Sequence, residues 1–190
     1  MNARGKGIRR PILIVTEGAT ERGYLNAIRD HARTRDIRKI IDAKGGGGIV
    51  EALSRTNLDA FAQVWIVLDA ESHPHNELQR VAGWVAAAAD PQRFRVVVTS
   101  PRFEAWLLAH FEVPTGSGRQ MEERLKAACG FRKPQLPPEL PLRDWQAAAG
   151  NLEEFDCRAP LVTDDRDSCA VCQPGSAMIH IVRLVLGEPG

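Results

Sequence analysis

The chain reads as an α/β protein: a mostly parallel sheet flanked by helices, with a helical extension on its C-terminal side. Three observations carry this reading. Residues 12–15, 64–68 and 94–98 are short, nearly continuous apolar runs, the pattern of strands buried on both faces. Between them lie segments whose apolar residues recur at helical spacing. Strand and helix alternate, as in a parallel sheet joined by crossover helices. With 190 residues there is enough chain for one sizeable core. The expected division is a core over 1–112 and a helical extension over 113–190, packed together as one compact domain.

Taken in order, residues 11–16 form the first strand, which stops at Glu17-Gly18. A helix starts near Thr20, a good N-cap, and Glu21 stands in its first turn, where the helix dipole favours negative charge. Tyr24, Leu25, Ile28 and Ala32 give that helix one apolar face. Residues 38–43 read as a second short strand, Lys44 and the glycines 45–48 as a turn, and 49–55 as a short helix. The clearest strand, 64–68, ends in Asp69-Ala70-Glu71-Ser72-His73-Pro74. A helix follows over about 76–89, then a strand over 94–98. Ser100 suits an N-cap and Pro101 the first helical position, where its missing N–H has no intrahelical partner, so a helix is expected over 101–111. Prolines and glycines punctuate 113–142. Further helices are expected over 119–129, 143–155 and 176–186, and the four tryptophans read as core residues.

Composition excludes several classes. Hydrophobic residues make up 44% and charged residues 26%, ordinary for a folded protein. No apolar run approaches the roughly 20 residues of a membrane span. The basic residues 1–10 are not followed by a signal core and cleavage site, so the expected location is the cytoplasm, with no membrane partner. Four cysteines in such a chain read as reduced thiols or metal ligands rather than disulfides. Net charge is only +1, yet residues 1–44 hold eleven Lys/Arg against five Asp/Glu. That stretch is either a solvated basic face or an attractor for phosphate backbones.

Chemistry is expected where strands end, because the carboxyl edge of an open α/β sheet forms the ligand crevice. Glu17 follows the first strand, and Asp69 and Glu71 follow the central one. Two residues apart, Asp69 and Glu71 point the same way if the chain stays extended. Carboxylates brought together repel unless a cation neutralises them, and Mg²⁺ suits such a set because it keeps waters for a substrate phosphate. The alternative is a group of solvated strand-end acids. Glu104 lies on the same helical stripe as Leu107, Leu108 and Phe111, so its carboxylate either finds a partner in the crevice or stays exposed in the first turn. His73, Arg102 and Lys44 stand near strand ends and could grip a phosphate; each could equally be an ordinary solvated side chain. Lys44 before four glycines is not a P-loop, since no GK[ST] follows. Cys169-x-x-Cys172 with Cys157, and Cys129 or His180 as further candidates, would make a structural Zn²⁺ site; one isolated CxxC leaves ordinary thiols open.

Three pieces of the chain together resemble the RloB family of small Toprim-type proteins: Ile12-Leu-Ile-Val-Thr-Glu-Gly18 with Thr20, Glu21 and Tyr24; Val64-Trp-Ile-Val-Leu-Asp-Ala-Glu-Ser-His73; and Ser100-Pro-Arg-Phe-Glu-Ala-Trp-Leu-Leu-Ala-His-Phe111. The segment Gln173-Pro-Gly-Ser-Ala177 also looks like the family's closing end, whereas 113–172 has no matching motif. The resemblance implies a Toprim-like, Rossmann-like fold in which a Glu after the first strand and an Asp-x-Asp after a later one serve Mg²⁺-dependent phosphodiester chemistry. Glu17 matches the first. Asp69 and Glu71 match the pair, with Glu in place of the second Asp, which keeps a carboxylate but changes the catalytic geometry. The resemblance also implies bacterial anti-phage defence and an ATPase partner.

These readings converge on a metal-dependent nuclease. Asp69 and Glu71, with Glu17 and Glu104, would hold Mg²⁺ or Mn²⁺, and Glu17 would alternatively act as general base. Arg9, Arg10, Arg33 and Arg35 would hold the backbone of DNA or RNA, tRNA included. A second expectation is a non-catalytic module that binds nucleic acid or protein beside an ATPase. A third is an enzyme acting on small phosphorylated substrates.

Overall fold

A computed structural model describes residues 11–34, 36–43, 48–70, 74–137, 140–155, 157 and 174–186, with backbone alone at 74–76 and 143. The elements run β1 (Ile12–Thr16), α1 (Ala19–Ala32), β2 (Ile37–Asp42), α2 (Ile49–Ser54), β3 (Gln63–Asp69), α3 (Pro74–Ala86), β4 (Phe94–Ser100), α4 (Phe103–Ala109), α5 (Gly118–Cys129), α6 (Trp145–Gly150), β5 (Glu153–Glu154), β6 (Gly175–Ser176) and α7 (Met178–Leu186).

The apolar runs at β1, β3 and β4 become the middle of one six-stranded sheet of order β2-β1-β3-β4-β6-β5. The pairs β1–β2, β1–β3 and β3–β4 are parallel. Both faces of these strands are covered, which is why they lack polar alternation. Successive side chains go to opposite faces. Ile12, Ile14, Trp65, Val67 and Val97 meet Tyr24, Leu25 and Ile28 of α1, all of α4 except its Glu, Met121 and Leu125 of α5, and the apolar face of α7. Leu13, Val15, Val64, Ile66, Leu68, Val96 and Val98 meet Ile49 and Leu53 of α2 and Val81 of α3. Trp65, Trp106 and Trp145 lie in the first core; Trp84 packs edge-on against Phe94 beside the second. The expected α/β, Rossmann-like architecture with a C-terminal helix is what the chain adopts.

Two expectations are corrected. Ser100 and Pro101 do not open a helix. The strand continues through Ser100, and α4 starts at Phe103 with Arg102 as its N-cap. Pairing decides this: Thr99 and Ser100 lie antiparallel to Ser176 and Gly175, and the Thr99 and Ser176 hydroxyls are 2.8 Å apart. A partner about 75 residues away outweighs the local capping signal. Likewise the helix expected over 143–155 is only α6, because Glu153 and Glu154 pair with Gly175 and Ser176 as a sheet edge. The extension thus supplies two short strands besides its helices.

Candidate carboxylate site at the sheet edge

β1 is paired on one side with β2 and on the other with β3, so the chain leaves β1 in opposite directions along the sheet. The crevice at such a switch point opens between the carboxyl ends of β1 and β3. Glu17 follows β1 and Asp69 ends β3, and the two meet there: the Asp69 backbone N–H donates to Glu17 Oε2 at 3.1 Å. The Thr16 hydroxyl donates to the Gly18 carbonyl at 2.9 Å and fixes the turn that carries Glu17.

Parity along β3 sends Asp69 to the same face as Trp65 and Val67, under α1 and α4. Each of those helices brings one more carboxylate from its first turn: Glu21 from α1 and Glu104 from α4. Glu17, Glu21 and Glu104 are only 8%, 7% and 1% exposed. Buried carboxylates ordinarily find partners. Here Glu21 Oε2, Asp69 Oδ1 and Glu104 Oε2 are buried with no hydrogen-bond partner. Gly18 makes room for this crowding, since a Cβ there would stand 3.0 Å from Glu21 Oε2.

Electrostatics follow from burial and like charge. Burial pushes the Glu21 carboxyl from 4.5 up to about 7; its own backbone N–H works the other way, Glu104 and Glu17 add to the rise, and Lys133 opposes it. Burial, then the charges of Glu21, Glu104 and Glu17, hold the Asp69 carboxyl well above its ordinary range against the pull of the Phe103 backbone N–H. Among the described residues, Lys133 brings a cation to the cluster. Its Nζ lies 2.6 Å from Glu104 Oε1 and 3.9 Å from Glu122 Oε2. Burial works to lower the lysine's pKa, but the hydrogen bond and charge of Glu104, aided by Glu122 and Asp69, raise it.

An aromatic layer lies deeper in the same core. Tyr24, three residues past Glu21 on α1, packs edge-on against Phe103 and Trp106, and its hydroxyl is 3.2 Å from His110 Nε2. Burial drives the His110 pKa down to about 4, outweighing the Pro141 carbonyl and Asp144. This histidine is neutral at physiological pH and belongs to the core.

The structure brings Glu17 and Asp69 together, places Glu104 with them rather than exposed in its first turn, and adds Glu21 and Lys133. Glu21 had a signal that the dipole argument hid: a helix starting two residues after Glu17 returns its first turn to the sheet edge. Lys133 had none, being 29 residues from Glu104 in a proline-rich stretch. Arg102 is the half-buried N-cap residue of α4, two positions from Glu104. Arg33 caps the far end of α1, about 18 Å from Glu21 by helical rise, and does not share the site. Glu71, His73, Lys44, Arg9, Arg10 and Arg35 lie outside the described residues. Of the expected zinc ligands, Cys169 and Cys172 also lie outside them; Cys157 is buried against the first core. Cys129 bonds the Leu125 carbonyl at 3.2 Å, and His180 Nε2 is 2.9 Å from the Phe155 carbonyl.

Among the described residues no three Asp, Glu, His or Cys side chains already enclose a metal position. The donor chemistry nonetheless fits a hard divalent cation. Every donor is a carboxylate oxygen, three oxygens lack partners, and burial, with like charge adding to it, raises two of the acids.

No helix of the described residues is long and apolar enough to cross a membrane. Searches of curated proteins and of solved structures gave no match. The family model for RloB-like proteins matches residues 12–149. The match spans β1 to β4 and continues through α5, the Lys133 loop and most of α6, where no motif is legible; the segment 173–177 lies beyond it. On a match covering most of its length, the chain belongs to the RloB-like protein family.

Proposed function

We propose that this RloB-like protein is a metal-dependent phosphodiesterase that cleaves nucleic acid. The observation that carries the reading is the set of buried, partnerless carboxylate oxygens where β1 and β3 diverge. Glu17 and Asp69, with Glu71 following in sequence, would hold Mg²⁺ or Mn²⁺. When bound, the ion supplies neutralisation of the cluster and polarisation of the scissile phosphate. The chain's own residues do the rest. The Asp69 N–H fixes Glu17 through one oxygen, and the other would take a proton or a ligand. The core beneath excludes water from one side of the cluster, and Arg102 would grip a phosphate. Bacterial anti-phage defence and an ATPase partner are the setting that the family resemblance supports.

A cleavage panel of plasmid, single-stranded DNA and tRNA with Mg²⁺ or Mn²⁺ tests the proposal. Asp69→Ala and Glu17→Ala should each lower turnover at least a hundredfold while the protein stays folded by circular dichroism. Cleavage at wild-type rates by both variants would refute it.

One observation favours a second reading, a non-catalytic binding module beside an ATPase. Lys133 already brings a positive charge to the cluster, and the Asp-x-Glu pair departs from the family's Asp-x-Asp. On that reading binding is metal-independent and no substrate in the panel turns over.

A further inference from the structure

We infer that Lys133 is the built-in counter-ion of the carboxylate cluster, and that it withholds Glu104 from the metal so that divalent affinity is set by a tethered cation. The inference rests on the metal-dependent reading above. Lys133 Nζ sits 2.6 Å from Glu104 Oε1, while Glu104 itself is 1% exposed and its other oxygen has no partner. Asp69 Oδ1 and Glu21 Oε2 are likewise buried without partners, so acidic side chains from three elements point into one place. Lys133 reaches them, and with its side chain 42% exposed it enters from the solvent side.

Several local features hold this placement. α5 packs on α4 through Met121 and Leu125 and ends at Gly130 in the left-handed conformation. A turn closed by pairing of Arg132 with Gln135 then carries Lys133 back over the first turn of α4. A fixed ammonium beside a divalent ion repels it. At separations of several ångströms near a protein surface, one unit charge against two is worth more than a factor of ten in affinity. The pairing also makes Glu104 a positioning residue for Lys133, not a ligand, and leaves the ion to Glu17 and Asp69.

Calorimetric titration of Mn²⁺ into the full chain, with no nucleic acid present, tests this. Lys133→Met should bind Mn²⁺ on the order of tenfold more tightly than wild type. Lys133→Arg, which keeps the charge, should bind within about twofold of wild type. The double variant Glu104→Gln/Lys133→Met, which restores the cluster's net charge, should return to wild-type affinity, and Lys133→Gln, a second uncharged variant, should tighten binding like Lys133→Met and keeps the test valid if that one folds poorly. Unchanged or weaker binding by Lys133→Met and Lys133→Gln, with binding abolished in Asp69→Asn, would overturn the counter-ion while leaving the metal site standing. No binding by wild type or any variant would overturn the metal reading and the counter-ion together.

Discussion

Glu21 shows how much one side chain's surroundings change its meaning. In sequence it is a first-turn acid suited to a helix dipole; in the fold it is buried beside Glu17 and Glu104 with an oxygen unsatisfied. Its folded pKa of about 7 lies above the unfolded 4.5, so the folded state holds the proton more tightly. The stability this contributes is complete below pH 4.5 and is lost as pH rises through 7. Glu21→Gln, which carries no charge to desolvate, should therefore stabilise the metal-free protein at pH 8 by roughly 3 kcal/mol and change little at pH 4. Urea unfolding in EDTA at the two pH values measures it, and an equal effect at both would show that burying this residue's charge is not what strains it. His110 runs the opposite way. Its folded pKa of about 4 lies below 6.5, so its contribution is complete above pH 6.5 and is lost as pH falls toward 4.

Between residues and fold stand the elements that aim the cluster. α5 matters most, because the loop after it delivers Lys133. Ser117 caps α5 by accepting from the Gln120 N–H, and the Gln120 side chain accepts from the Ser117 N–H in return, a complete capping box. Ser117→Ala should cost about 1 kcal/mol. Gly130 ends the helix at φ +69, and a Cβ added there would meet nothing within 4 Å, so Gly130→Ala costs conformational energy alone, about 1 kcal/mol. Thermal melts read both, and Gly130→Ala should in addition loosen the Lys133–Glu104 pair. The helix over 119–129 is legible in the sequence because the signals that start and stop it are local. The extent of β4 is not: Ser100-Pro101 carries a strong helix-start signal, and only the strand at 175–176 overrides it. The same limit explains the site. Glu17 and Asp69 can be read as strand-end acids from neighbouring apolar runs, and Glu104 from its helical stripe. Lys133 cannot, because nothing in its neighbourhood says which element its loop crosses.

At the scale of the molecule, the sheet order converts separate acids into one electrostatic unit. Because β1 and β3 are adjacent while their helices diverge, Glu17, Glu21, Asp69 and Glu104 are coupled although they span 88 positions in the chain. Asp42 illustrates the contrast. It also ends a strand, β2, but pairs with Arg22 at the sheet's outer side and stays outside the cluster. The coupling predicts how metal and pH interact. Metal-free protein holds Glu21 and Asp69 more readily protonated than the unfolded chain does, so these two acids withdraw stability as pH rises above 4.5. A divalent cation held at Glu17 and Asp69, as proposed, would favour the ionised forms of Asp69 and its neighbour Glu21 and displace those protons. Millimolar Mg²⁺ should therefore raise the melting temperature several degrees more at pH 8 than at pH 5, with proton release measurable in weakly buffered titrations. Asp69→Asn should abolish the Mg²⁺-dependent part at both pH values. A melting temperature indifferent to Mg²⁺ at pH 8 would mean that the acids are neutralised by protons and Lys133 alone, and that the cluster is a binding surface without a catalytic ion.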